Sequence, residues 1–197
     1  MIKPFFCLFV LSLLTGVTHA QQKASPYPPE VPKPTFSGVS YGKHERNVLD
    51  FWKAKSKSPT PVAFVIHGGG WKGGSKERLS RFADPNALLK AGISVVAINY
   101  RYVTSTEKPP VKAPLSDAAR ALQFVRSKAK EWNVDKKRIG AAGGSAGACS
   151  SLWLAFHDDL ADLKSKDPIA RESSRLSCAA VMGAQTTLDP KQMKEWT

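Results

Sequence analysis

The sequence predicts an α/β fold, one mostly parallel sheet led by an antiparallel hairpin. Three observations carry this reading. Short apolar runs alternate with stretches of helical periodicity along most of the chain, and strands alternating with helices build parallel sheets. The run 61–66 is apolar without interruption and 93–98 is broken only by Ser94, as expected of strands buried on both faces. Two glycine-rich turns, His67-Gly68-Gly69-Gly70-Trp71 and Gly143-Gly144-Ser145-Ala146-Gly147, directly follow apolar runs. With 197 residues, 42% of them hydrophobic, the chain suffices for one domain with a sizeable core and gives no case for two.

At the N-terminus, Met1-Ile2-Lys3 is a short positive start, residues 5–14 are almost continuously apolar, and Thr18 and Ala20 put small residues at cleavage positions. Residues 1–20 are therefore expected to be a secretory signal cut near Ala20, and the mature chain to be exported, periplasmic or extracellular. About ten apolar residues fall short of the ~20 that span a bilayer, so no stable membrane anchor is expected. Residues 21–36 are polar and carry Pro26, Pro28, Pro29, Pro32 and Pro34. Such a stretch is expected to be a linker that neither joins a sheet nor buries a core, leaving residues 37–197 as the domain.

Residues 35–41 and 47–52 read as the two strands of a hairpin, followed by the buried strand 61–66. Asp84-Pro85 supplies an N-cap and a first-turn proline for a helix that stops at Gly92. After the strand 93–98, Ser116 is expected to cap the longest helix, in which Ala118, Ala121, Leu122, Val125, Ala129 and Trp132 recur at helical spacing. A short strand at 138–142, a helix at 146–156 and a last strand at 177–182 complete the order.

The charge balance, 29 Lys+Arg against 16 Asp+Glu for a net +13, raises a nucleic-acid partner as a question. Its distribution answers no: the basic residues stand scattered, at most three in a row (Lys136-Lys137-Arg138), with acids between them, a solvated surface rather than a patch. Beyond the signal lie two cysteines, Cys149 and Cys178. An oxidising compartment would permit a bridge, yet buried free thiols are common at such helix and strand positions, and no disulfide is expected.

The second glycine-rich turn fits G-x-S-x-G, in which small residues flank a serine because a tight strand-to-helix turn leaves no room for side chains. The first fits the HGGG loop, whose glycines let backbone N–H groups face a developing oxyanion. Within it His67 and Gly68 shape the loop, and Trp71 is expected to pack against it rather than touch substrate. A dinucleotide fingerprint would need glycine where Ala142 stands, and a P-loop would need Gly-Lys-Ser or Gly-Lys-Thr where the chain has Gly74-Ser75-Lys76.

These segments, together with Asn99-Tyr100-Arg101, residues 117–122 and Arg138-Ile139-Gly140, resemble the secreted HGGG-type esterases and lipases of the α/β-hydrolase superfamily. The kinship is to the hormone-sensitive-lipase group and to feruloyl- and acetyl-esterase-like carboxylesterases, over residues 37–190. The resemblance implies an α/β-hydrolase fold and a serine carboxylic-ester hydrolase with Ser145 as nucleophile. It further implies oxyanion donors at the N–H groups of Gly69, Gly70 and Ala146, no metal or organic cofactor, and a small-molecule or polysaccharide-linked ester as substrate.

In that fold the triad runs serine, acid, histidine. Of four histidines only His157 follows Ser145, and twelve residues along a helix place it about 18 Å away. Asp189 is the one acid in an interesting position, although the family's acid usually follows a later strand. The chain is therefore expected to be C-terminally truncated, its last strands and helices missing along with the triad Asp and His. So truncated, it is expected to be inactive or nearly so, and to self-associate through an exposed sheet edge. The rival expectation is a non-catalytic exported binding or interaction module on a decayed hydrolase fold.

Overall fold

The computed structural model describes residues 26–104, 106 and 108–185. The expected signal, Asp189 and everything after residue 185 lie outside the described residues. Two antiparallel strands, β1 (Phe36–Ser40) and β2 (Val48–Trp52), precede β3 (Thr60–Ile66), a 3-10 turn (Lys76–Arg81), α1 (Pro85–Lys90) and β4 (Ser94–Ile98). Then come α2 (Lys112–Ser127), α3 (Ala129–Trp132), β5 (Val134–Gly144), α4 (Ala146–Phe156) and β6 (Cys178–Met182). The sheet order is β1-β2-β4-β3-β5-β6. β1 and β2 pair antiparallel, as do β2 and β4, while β3 pairs parallel with both β4 and β5, and β5 with β6. This is the α/β-hydrolase fold the sequence predicts.

Alternation along the strands divides the core in two. Leu49, Phe51, Val62, Phe64, Ile66, Val96, Ile98 and Ile139 face α2, α3 and α4, meeting Ala118, Leu122, Val125, Trp132 and Leu154. Trp52, Val65, Val95 and Ala97 face the other way, onto Leu79 of the 3-10 turn, Leu88 and Leu89 of α1, and Tyr27 and Val31. That last pair corrects the linker reading. Prolines keep the segment out of the sheet, but their carbonyls still accept and the residues between them still bury area. The Trp52 indole donates to the Pro32 carbonyl at 2.6 Å, and the Tyr27 ring meets Trp52 edge-on at 5.1 Å.

Two helix boundaries also differ from expectation. Asp84 does cap α1, its carboxylate accepting from the N–H groups of Asn86 and Ala87. Ser116, in contrast, lies inside α2, which starts at Lys112. Pro114 sits in the first turn, where a helix N–H has no acceptor anyway, so it does not halt the helix. The apolar spacing from Ala118 to Trp132 is real, but Ala129 and Trp132 belong to α3, which ends at Asn133 in the left-handed region (φ 56°).

The smaller core encloses a buried charge. Asp50 on β2 is fully buried and accepts from the Tyr27 hydroxyl (2.6 Å), the Gly38 N–H (2.6 Å), the Ser37 hydroxyl (3.2 Å) and the Lys76 ammonium (2.8 Å). Burial works to lower the Lys76 pKa, yet its hydrogen bonds to Asp50 and Glu77 outweigh that and leave it above its usual value. Asp50→Ala strands the ammonium with Glu77 alone and should cost about 3 kcal/mol in urea unfolding. Adding Lys76→Met should recover part of the loss, because the stranded charge goes with it. A double variant as unstable as Asp50→Ala would show that the charge is not what is lost.

Candidate active site

Ser145 stands between the end of β5 and the start of α4, with φ 53° and ψ −123°. Few residues tolerate that conformation, and a serine held there costs of order 1–3 kcal/mol. The surrounding backbone enforces it. A Cβ on Gly147 would lie 2.0 Å from the Ile66 carbonyl oxygen, and one on Gly143 would lie 2.6 Å from the same atom. The first turn of α4 therefore rests directly on the end of β3. Ser145 is exposed while Gly143, Gly144, Ala146 and Gly147 are all buried. Its N–H donates to the Met182 carbonyl of β6 (3.0 Å), and its carbonyl accepts the Cys149 N–H (3.0 Å). Its hydroxyl makes no capping bond.

The HGGG loop lies against this turn. A Cβ on Gly68 would sit 2.6 Å from the Gly144 oxygen and 3.4 Å from the Ser145 Cβ, so no larger residue could bring the loop this near. Gly69 and Gly70 are exposed, with φ 118° and 60°, and Trp71 follows at φ 54°. The Gly69 carbonyl accepts from the N–H groups of Lys72 and Gly73, while the N–H groups of Gly69 and Gly70 donate to no acceptor among the described residues. Ala146, first residue of α4, presents an N–H with no intrahelical partner. The structure thus gathers Gly68, Ser145 and Ala146 at the carboxyl ends of β3 and β5, with Gly69 and Gly70 continuing the same loop.

Behind the loop stands a polar brace that sequence reasoning did not assign. The Tyr100 hydroxyl donates to the His67 carbonyl (2.8 Å), and its ring stacks on the imidazole at 4.2 Å. The Tyr102 hydroxyl (2.6 Å) and the Arg46 guanidinium (3.1 Å) both donate to the Gly74 carbonyl, and Arg46 lies over the Tyr102 ring. Arg101, beside these tyrosines, pairs with Asp117 of α2. Of these, Asn99-Tyr100-Arg101 and Asp117, within residues 117–122, carried a signal, as matching segments without a role. Trp71 is buried and packs the loop, its indole donating to the Ser150 hydroxyl of α4 (3.0 Å).

Two of the histidines stand elsewhere. His157 is exposed at the end of α4, against Trp153, and His44 lies in the β1–β2 connection, accepting the Arg46 N–H. Neither hydrogen-bonds Ser145. Cys149 and Cys178 are both free thiols. An apolar groove of about 530 Å³ lies on the opposite sheet face, lined by Phe82, Leu88, Ala142, Cys178 and Ala180. It excludes Ser145 and the glycine loop, and α1 contributes Ala87 and Leu88 to its lining. Among the described residues no helix is long and apolar enough to cross a membrane, and no group of three or more His, Cys, Asp or Glu is placed to hold a metal.

His67 is buried within the loop. Its Nδ1 lies 2.8 Å from the Gly68 carbonyl, which can only accept, so the proton belongs on Nδ1 and the unpartnered Nε2 carries a lone pair. Burial lowers its pKa from 6.5 to about 4, opposed by the Gly68 hydrogen bond. Between those values the unfolded chain binds a proton that the folded chain does not. Stability should therefore fall as pH drops from 6.5 towards 4, by up to about 3 kcal/mol. His67→Gln should flatten that part of the profile in urea unfolding; an unchanged slope would assign the titration to another group.

The BD-FAE family model matches residues 49–197. The chain is 35% identical over 122 residues to the probable carboxylic ester hydrolase LipM of Mycobacterium tuberculosis, covering 60% of this chain and 27% of that protein. It is 30% identical over 162 residues to gut esterase 1 of Caenorhabditis elegans, covering 79% of this chain and 28% of that one. The acetyl ester-xyloside bifunctional hydrolase of Caldicellulosiruptor lactoaceticus matches its structure with a TM-score of 0.56 at 33% identity, over 68% of this chain and 48% of that one. The chain spans less than a third of the length of these curated relatives and about half of that enzyme. A family model covering most of the sequence, esterase relatives and the architecture agree: the chain belongs to the BD-FAE family of α/β-hydrolase-fold esterases.

Proposed function

We propose that the chain carries the nucleophile and the oxyanion donors of a serine carboxylic-ester hydrolase. The observation that carries this is Ser145, an exposed serine with an uncommitted hydroxyl, held at positive φ between β5 and α4. In the reaction its Oγ attacks the ester carbonyl and gives up its proton to a base. The oxyanion rests on the N–H groups of Gly69, Gly70 and Ala146; the alcohol then departs with a proton, and water frees the acid from the acyl-serine. Since no described histidine reaches Ser145, the base and its acid partner are assigned to polypeptide outside this chain. This chain alone then retains only the weak catalysis of its oxyanion donors. The named activity of the acetyl ester-xyloside hydrolase supports small acyl esters, polysaccharide-linked ones included, as the substrate class. Export after cleavage near Ala20 belongs to the same reading, with a domain that extends N-terminally past residue 37 to take in Tyr27 and Val31.

A fluorophosphonate probe tests the nucleophile without requiring turnover. Mass spectrometry should find a slowly formed adduct on Ser145 that is absent from Ser145→Ala. Without an imidazole base its rate should rise about tenfold per pH unit between pH 6 and 9, with no inflection near 6.5. An inflection there would reveal a histidine base within the chain. Failure to label Ser145 at any pH would favour the non-catalytic binding module.

β6 ends the sheet order, and Met182 on it is 63% exposed. We propose that the chain self-associates along this strand, as unprotected edges do. Light scattering should give a mass above the 21.4 kDa of one chain, lowered by Met182→Lys. A monomer at every concentration would end this proposal.

A further inference from the structure

The Trp71 indole could have reached its partner anywhere in the larger core, yet the partner it has is a hydroxyl on the helix that begins at Ser145. Ser150 is buried, and its Oγ makes two bonds at once. It donates to the Ala146 carbonyl (2.9 Å) and accepts the Trp71 Nε1–H (3.0 Å). Its single proton is committed to the helix, so the lone pair facing Trp71 has a fixed direction. The other end of Trp71 is held as well, since its carbonyl accepts the Val103 N–H at 2.9 Å. Between these two ties the Trp71 backbone stays in the left-handed region, which a bulky side chain adopts only where its surroundings hold it. The conformation of Gly69 to Trp71 in turn sets where the N–H groups of the loop point.

We propose that Ser150 is a positioning residue, which through Trp71 fixes the glycine loop to the first turn of the helix carrying Ser145. The proposal rests on the reading of Gly69 and Gly70 as oxyanion donors. It adds that their aim relative to Ser145 is set by one buried hydroxyl. Both halves of the oxyanion site then move as one body, because Ala146 contributes its N–H to one half and its carbonyl to the Ser150 bond.

The test compares Ser150→Ala, Trp71→Phe, their double variant and Ser150→Thr, which keeps the hydroxyl. The first readout is amide hydrogen exchange at Lys72, Gly73 and Val103, whose N–H groups donate into the carbonyls of Gly69 and Trp71. Either single variant should speed these amides about tenfold, the worth of one neutral hydrogen bond. The double variant should add nothing further, and Ser150→Thr should restore protection. Amides of β3 and the interior of α4 should stay within about twofold of the parent. The second readout is fluorophosphonate labelling of Ser145, which should slow about tenfold in Ser150→Ala with its pH dependence unchanged, less than the loss of an entire oxyanion donor. Exchange at Lys72, Gly73 and Val103 unaffected by either single variant, or effects that simply add in the double, would overturn the proposal. So would an equal speeding across β3 and α4, which marks general destabilisation. If the parent is never labelled at Ser145, the reading of the nucleophile fails, and the exchange data still decide the clamp.

Discussion

The contact on which the rest depends is between two pieces of backbone, the carbonyl of Ile66 at the end of β3 and the first turn of α4 at Gly147. Any side chain at Gly147 would overlap that oxygen at 2.0 Å, so only glycine lets the helix begin so close to the sheet. Once it does, the connection from β5 has a single residue in which to turn, and Ser145 takes up the strain at φ 53°. Ser145 is thereby lifted into solvent while its neighbours are buried. The same closeness brings Gly68 against Gly144 and sets the glycine loop beside the serine. Three backbone segments meet where side chains would have kept them apart, and the N–H groups of Gly69 and Gly70 are left without an acceptor among the described residues.

Holding that arrangement falls to the polar groups behind it. His67 is kept neutral by burial and pinned by Tyr100, so no buried positive charge disturbs the loop from behind. Tyr102 and Arg46 close on Gly74, and Trp71 reaches across to α4. The smaller core uses a different device, the carboxylate of Asp50 surrounded by four donors. This joins the segment around Tyr27, the β1–β2 pair and the 3-10 turn that follows the glycine loop. Breaking it strands a charge in a dry place, where replacing the whole set with apolar groups would be far gentler.

The fold was legible because its strands declare themselves by composition. The apolar runs ending at Ile66 and Ile98, short and rich in Val and Ile, read as buried strands, and α4 followed from Ala146 to Phe156 without adjustment. Errors came where local grammar was overruled. Ser116 resembles a cap, but the helix had already started, since proline is harmless in a first turn. The proline-rich segment looked like a tether, although Tyr27 and Val31 supply apolar surface that the sheet needs covered. The 3-10 turn from Lys76 to Arg81 has almost no apolar periodicity; the buried Leu79 and the Lys76 ion pair with Asp50 tie it to the sheet. At the candidate site the tight turns at the glycines and at Ser145 could be read, because the spacing of small residues encodes backbone geometry. Tyr100, Tyr102, Arg46 and Ser150 could not, because each acts through a partner distant in sequence.

The central claim is that this backbone packing aims three N–H groups at a charge that develops on a substrate bound to Ser145. A crystal structure of the chain after reaction with a fluorophosphonate tests it most directly, since the tetrahedral phosphoryl group stands in for the intermediate. The account predicts phosphorus bonded to Ser145 Oγ, with one phosphoryl oxygen about 3 Å from the N–H of Ala146 and from that of Gly69 or Gly70. An adduct on another side chain, or a phosphoryl oxygen directed into solvent away from the glycine loop, would contradict it.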